Sequence, residues 1–377
     1  MLTEEFHTKS VSPKREWIKE SLRAQIRKVG PNGKLPKVVE LCGLLGVAKV
    51  TLNSALDDLH AEGLILRKRG SGIYVSPRIN QKNIALVFGS NIFAAGMSPI
   101  YSQLLQRCEQ RAKSALENFS FFLDLPSVQA DATEHPVHWD LVQAIQFGKL
   151  HGLLLISRGS AEEEQWLRSQ TVPIVSLDTH QSWAETVVLD YESLVRSGVG
   201  ELARQGCRRI ALILPHPMPD ENSQTGWNAN ARAFKKALER HRLPYQPEWI
   251  WQWTLPPADA RKTGEEWGRQ AFLDLFSADL LEAPDGVVIA DDMITRGAML
   301  AARQLGIVVG RDVKVASHAN KGSLILQEYA EELALIEFDP AEIVEAMFRM
   351  LERLMAGIGS VKKAKLIQPK IKQKQEL

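Results

Sequence analysis

At 377 residues, with 45% hydrophobic and 24% charged residues, the chain has the length for two or three domains and the composition of a globular protein. Polar, charged opening residues and the lack of an uninterrupted apolar run of spanning length exclude a membrane partner from this reading, and we expect a cytoplasmic protein. Cys42, Cys108 and Cys207 are too few and scattered for a disulfide framework or a Cys-x-x-Cys site, so they read as reduced, buried or half-buried thiols.

The net charge of +1 conceals an asymmetry. Residues 1–80 carry 14 Lys and Arg against 8 Asp and Glu, out of 46 and 45 in the whole chain, so the remainder carries 32 against 37. A basic small domain ahead of an acidic large one suits a polyanion partner at one end only.

Residues 1–13 lack a periodic pattern and read as a mobile leader. From Lys14 to about Val29, Trp17, Ile18, Leu22 and Ile26 recur at helical spacing until Gly30-Pro31-Asn32-Gly33 stops the helix. Leu35–Val75 then reads as two short helices broken at Gly46, a strand, the basic turn Arg67-Lys68-Arg69 ending in Gly70-Ser71-Gly72, and a return strand Ile73-Tyr74-Val75. That order is a winged helix-turn-helix, over residues 14–76. In its second helix Leu52, Ala55, Leu56 and Leu59 make one inward face, leaving Lys49, Thr51, Asn53 and Ser54 to face a DNA major groove. With Lys37, Arg67, Lys68, Arg69 and the wing tip Gly70, Ser71 and Gly72, these are the candidate DNA contacts.

Leu35-Pro36, Leu45-Gly46-Val47, Thr51, Ala55-Leu56, Leu59, Glu62-Gly63-Leu64-Ile65 and Gly70-Ser71-Gly72 give the stretch its resemblance to the DNA-binding domain of the GntR family. The departures lie at the polar contacts. Lys37 and Val39 stand where the family has serine and arginine, Ala48-Lys49 where it has serine-arginine, and Asn53 where it has a later arginine. Two usual helix caps are thereby lost, at a cost of about 1 kcal/mol each. Fewer arginines on the reading helix imply fewer bidentate guanine contacts and an operator unlike the family's common one.

Residues 77–81 form a polar linker. Beyond it apolar strands alternate with helices: Ile84–Phe88, Tyr101–Leu116, Phe119–Leu125, Trp139–Phe147, Gly152–Ser157, Pro173–Leu177, Val187–Leu189, Leu194–Gln205, Arg209–Leu214, Asn230–His241, Trp249–Trp253, Glu265–Phe276, Gly286–Ala290, Ile294–Leu305 and Val313–Ser317. Such alternation specifies parallel sheets covered on both faces, and there are more units than one modest sheet needs, so two lobes are expected. The fold class is α/β throughout.

Asp190-Tyr191, the run Gln205-Gly206-Cys207-Arg208-Arg209-Ile210-Ala211, Ala290-Asp291-Asp292-Met293 with Gly297-Ala298-Met299, and Leu305-Gly306-Ile307 leading to Gly310-Arg311-Asp312-Val313 carry a second resemblance. Residues 82–368 resemble the effector-binding region of LacI-type repressors, itself similar to periplasmic sugar-binding proteins. The resemblance implies three crossings between lobes, placed near Val188–Tyr191, His318–Lys321 and Ala356–Lys362. Lobe 1 then takes about 82–188 and 320–356, lobe 2 about 190–318 and 362–368, and 369–377 is a basic tail.

No Gly-x-Gly-x-x-Gly after a strand, Walker loop, His-Glu-x-x-His or Gly-x-Ser-x-Gly is present, so we expect no cofactor. His135 and His138 have metal-like spacing but a proline between them and no third ligand nearby. Asp291-Asp292, just beyond an apolar strand, read either as a general acid and base in a carbohydrate-active enzyme or as acceptors of sugar hydroxyls, with helix capping as a third role. The resemblance implies that Asp292 contacts ligand. The same place at a sheet edge adds Ser90, Asn91, Phe93 and Asp178, and His318 is a further candidate effector contact. Asn230 stands where the family often has arginine, which favours a neutral sugar over an acidic effector. Trp183, Trp227 and Trp253 offer flat faces for sugar stacking or for a core. The expected protein is a homodimeric, sugar-responsive regulator of carbohydrate genes bound to a double-stranded DNA operator, with the enzyme as the alternative and a transporter's binding protein disfavoured.

Overall fold

The computed structural model describes residues 13–79, 81–88, 92, 97–115, 117–123, 139–157, 161–178, 185–215, 226–251, 262–276, 283–358 and 364–373. They fall into two compact units, Met1–Asn83 with Ala112–Asn118, and Ile84–Arg111 with Phe119–Leu377.

The first unit contains α1 (Pro13–Val29), α2 (Val38–Leu45), α3 (Lys49–Ala61) and an antiparallel ribbon of β1 (Ile65–Lys68) and β2 (Gly72–Val75). Ile18, Leu22 and Ile26 of α1 meet Leu41, Leu52, Leu56 and Leu59 in one small core. Gly46 ends α2 at φ 61°, a left-handed conformation that glycine adopts without penalty. In the ribbon, Lys68 pairs with Gly72, and Gly70 at φ 74° turns the wing between them.

The second unit begins with β3 (Lys82–Phe88), α4 (Ile100–Ala115), β4 (Glu117–Leu123), α5 (Trp139–Gln146), β5 (Gly152–Ser157), α6 (Ala161–Arg168), β6 (Ile174–Asp178) and β7 (Thr186–Leu189). It continues with α7 (Tyr191–Arg204), β8 (Ile210–Ile213), α8 (Gly226–Arg240), β9 (Ile250–Trp251), α9 (Gly264–Phe276), β10 (Gly286–Ile289), α10 (Asp292–Leu305), β11 (Lys314–Asn320), β12 (Leu333–Phe338), α11 (Pro340–Met355), β13 (Lys365–Ile367) and β14 (Lys370–Ile371). Two six-stranded sheets result, in the orders β13-β7-β6-β5-β3-β4 and β14-β12-β11-β10-β8-β9. The central strands alternate between cores: Ile210 and Leu212 face one, Ala211 and Ile213 the other. Burial on both faces explains why these strands read as continuous apolar runs.

Three expectations are corrected. The chain leaves the first sheet near Asp190, as expected, but β12 pairs in parallel with β11, so the return falls at Asp339 and not at His318–Lys321. In turn β13 pairs with β7 of the first sheet, so the last crossing is at Gln368 and not at Ala356–Lys362. The tryptophan stripe is broken as well. Trp249 closes a 3-10 turn, and Trp251 is buried with its indole N–H donating to Asp274 at 2.9 Å and its ring 6.0 Å from that of Trp267.

Helices α9 and α10 approach backbone to backbone. A Cβ on Gly268 would lie 1.9 Å from the Ile294 carbonyl oxygen, and one on Gly297 would lie 1.9 Å from that of Glu265. Each glycine thus admits the other helix's main chain, and no side chain fits without separating them. Gly268→Ala and Gly297→Ala are each expected to lower unfolding stability by at least about 2 kcal/mol in urea titrations, whereas Gly43→Ala, with open space at its Cβ position, should not.

Candidate nucleic-acid interface and effector cleft

In the first unit four cations are engaged by carboxylates. Arg15 makes a two-pronged contact with Asp58 at 2.9 and 2.6 Å, and Arg23 and Lys19 meet Glu62 at 2.9 and 3.1 Å. These pairs tie α1 to the far end of α3. Arg67, expected at the DNA face, pairs with Asp57 at 2.8 Å and donates to the Asn53 carbonyl at 3.4 Å, bracing the wing against α3. Lys37, Lys49 and Arg69 are exposed and have no ion pair among the described residues. Lys68 and Lys34 flank the Tyr74 ring at 5.1 and 5.6 Å, and Tyr74 shares a 2.7 Å hydrogen bond with Ser71 that stiffens the exposed tip Gly70-Ser71-Gly72. Thr51, Asn53 and Ser54 are half-buried on α3.

Both lost caps are visible. Lys37 begins α2 without a side-chain acceptor, although the Glu40 carboxylate takes its backbone N–H at 2.9 Å, and Ala48 begins α3 with no side-chain cap at all. The first-turn amides of α3 are left pointing out of the same end that carries Lys49, an arrangement suited to a phosphate oxygen.

In the second unit the carboxyl ends of the two sheets face one another. Ser98, between β3 and α4, donates its hydroxyl to both oxygens of Asp292, at 3.1 and 3.3 Å, across the gap between lobes. Asn320, at the end of β11, donates to the same carboxylate at 3.1 Å. Asp292 has no exposed surface. Asp291 caps α10, accepting the Ile294 amide at 2.8 Å, and burial together with the Asp292 charge pushes its carboxyl up to about 7. His318 is 5% exposed, and its ring lies 5.8 Å from that of Tyr191 and 5.6 Å from that of Phe338. Neither ring nitrogen makes a hydrogen bond of good geometry, although Asn320 stands close enough to influence the ring; the Asn320 Oδ1 atom is also unpartnered. Burial lowers the His318 pKa against the pull of Asp292, so the ring is neutral at pH 7, with one donor and one acceptor. A chain of hydroxyls, Thr295 to Ser317 at 2.7 Å and Ser317 to the His318 carbonyl at 2.7 Å, holds β11 to α10. The Tyr101 ring lies 6.3 Å from that of Phe88, and the hydroxyl pKa values of Tyr101 and Tyr191 are raised by burial and by Asp291.

Of the expected effector contacts, Asp292 and His318 are thus brought together. Asp178 ends β6 and Asn230 lies early in α8; both are buried. Ser90, Asn91, Phe93, Trp183 and Trp253 lie outside the described residues, as does the side chain of Trp227. Sequence reasoning missed Ser98, Asn320, Tyr101 and Tyr191. Asn320 was findable, since period two on a strand puts it on the His318 face. Ser98 carried only a weak signal, a serine and a proline before a helical pattern.

Because Asp291 is held neutral in the fold well above the ordinary carboxyl range near 4, its ionisation opposes folding. The contribution of Asp291 to stability is expected to fall as pH rises from about 4 through 7 and then level off. Asp291→Asn, which can still cap α10, should flatten that limb of a melting-temperature profile.

Residues 14–75 match the model of the bacterial regulatory proteins of the gntR family, and residues 199–375 that of a periplasmic binding protein-like domain. The arabinose metabolism transcriptional repressor of Halalkalibacterium halodurans is 33% identical over 317 residues, covering 81% of this chain and 80% of that protein. A LacI-family regulatory protein from Chloroflexus aggregans shares the fold with a TM-score of 0.61 at 22% identity, over 76% of this chain and 96% of that one. A LacI-family regulator from Lactobacillus casei with bound sucrose has a TM-score of 0.56 at 16% identity, over 78% and 99%. Among the described residues no single helix is long and apolar enough to cross a membrane.

Proposed function

The chain belongs to the gntR family of bacterial regulatory proteins and is a DNA-binding transcriptional regulator, and we propose that it represses carbohydrate-related genes until a neutral sugar enters the cleft around Asp292. The observation that carries the sugar reading is the fully buried Asp292 carboxylate beside unpartnered Asn320 and His318 atoms, a set that pairs with hydroxyl groups and includes no cation. The relative from Halalkalibacterium halodurans is named for arabinose, which makes pentoses the first effectors to test.

Ser98 occupies the carboxylate from the opposite lobe, so a hydroxyl-rich ligand competes with it for Asp292. The two arrangements differ in how the lobes are tied, and the ligand shifts DNA affinity only by its preference for one of them. We further propose a homodimer on a pseudo-palindromic operator. Turnover by Asp291 and Asp292 is the weaker reading, since regulators of this family act by binding.

Titration of the full chain against operator duplex should show a linear fall of log affinity with log salt. Lys49→Ala is expected to weaken binding to all sequences and reduce that slope by about 1. A thermal-shift series over pentoses, hexoses and sugar acids should give stabilisation that Asp292→Ala abolishes. Stabilisation by sugar acids alone would overturn the neutral-sugar reading.

A further inference from the structure

We infer that Val50 determines sequence specificity by packing its methyl groups against the 5-methyl group of a thymine in the major groove. This rests on the DNA-binding reading of the first unit. On α3 the residues Leu52, Ala55, Leu56 and Leu59 have no exposed surface. At about 100° per residue, Val50 and Ser54 point directly away from that stripe, along the outermost ridge of the helix. Val50 is 81% exposed, the highest value among the exposed large hydrophobic residues described. Ser54, one turn on, is half-buried, and Asp57, further along the ridge, has its charge met by Arg67 at 2.8 Å. The leading end of the ridge therefore projects an isopropyl group, with exposed Lys49 beside it and the uncapped amides of the first turn behind it.

The bases offer such a group one favourable contact. Major-groove edges carry hydrogen-bond donors and acceptors on all four base pairs, and their single apolar feature is the thymine methyl. Valine against a donor or acceptor removes water from a polar group and returns no hydrogen bond, whereas valine against the methyl buries apolar surface on both sides. Discrimination thus has an attractive and a repulsive part. The absence of arginine at Asn53 leaves this contact a larger share of the readout.

The experiment uses the full chain. Duplexes selected from a random pool define the preferred site, and each thymine in a half-site is then replaced singly by deoxyuracil, which removes the methyl and keeps the hydrogen-bonding edge. One position per half-site is expected to lose about three- to five-fold in affinity, the scale of one buried methyl. Val50→Ala should lose that sensitivity at the same position and no other. Placing 5-methylcytosine there should bind the unaltered protein more tightly than cytosine does. Equal affinity for thymine and deoxyuracil at every position, or the same sensitivity in Val50→Ala, would overturn the inference while leaving DNA binding intact. Failure of the unaltered protein to bind any duplex would instead remove the reading on which it rests.

Discussion

A carboxylate with no exposed surface must be compensated, because an isolated buried charge costs many kcal/mol. Asp292 meets that demand with groups from both lobes, the Ser98 hydroxyl from one and the Asn320 amide from the other. Asp291 caps α10 beside it, and β11 runs in parallel register with β10.

The same logic separates the two units chemically. In the first, Arg15, Lys19, Arg23 and Arg67 are committed to carboxylates within the unit. Around the start of α2, the start of α3 and the wing, Lys37, Lys49 and Arg69 are exposed without ion pairs among the described residues, and Lys34 and Lys68 flank the Tyr74 ring.

The fold was legible because its strands and helices obey strong periodicities. Leu52, Ala55, Leu56 and Leu59 mark α3 at helical spacing, and Gly286–Ile289 reads as a strand buried on both faces. The crossings were not legible, since Leu333–Phe338 and Val315–Ala319 are apolar runs of similar kind and nothing local says which sheet each joins. Arg67 illustrates a second limit. Its position after β1 announces a wing, but only the folded chain places Asp57 within 2.8 Å. Asp292 follows the apolar strand the sequence announces, whereas Ser98 meets it from another lobe, nearly two hundred residues earlier in the chain, and no spacing rule spans that distance.

The three crossings also bear on motion. Two bodies joined by one tether can swivel, twist and slide, but these lobes are joined at Asp190, Asp339 and Gln368. Two of the joints are linked, Gln368 donating to Asp190 at 2.8 Å, and Lys321 pairs with Asp339 at the third, also at 2.8 Å. Asp190 and Asp339 each cap the helix that follows. Swivel and slide are resisted by three strands at once, which leaves bending about the joints as the soft coordinate. A change within the second unit therefore reduces to little more than one number, the angle between its lobes.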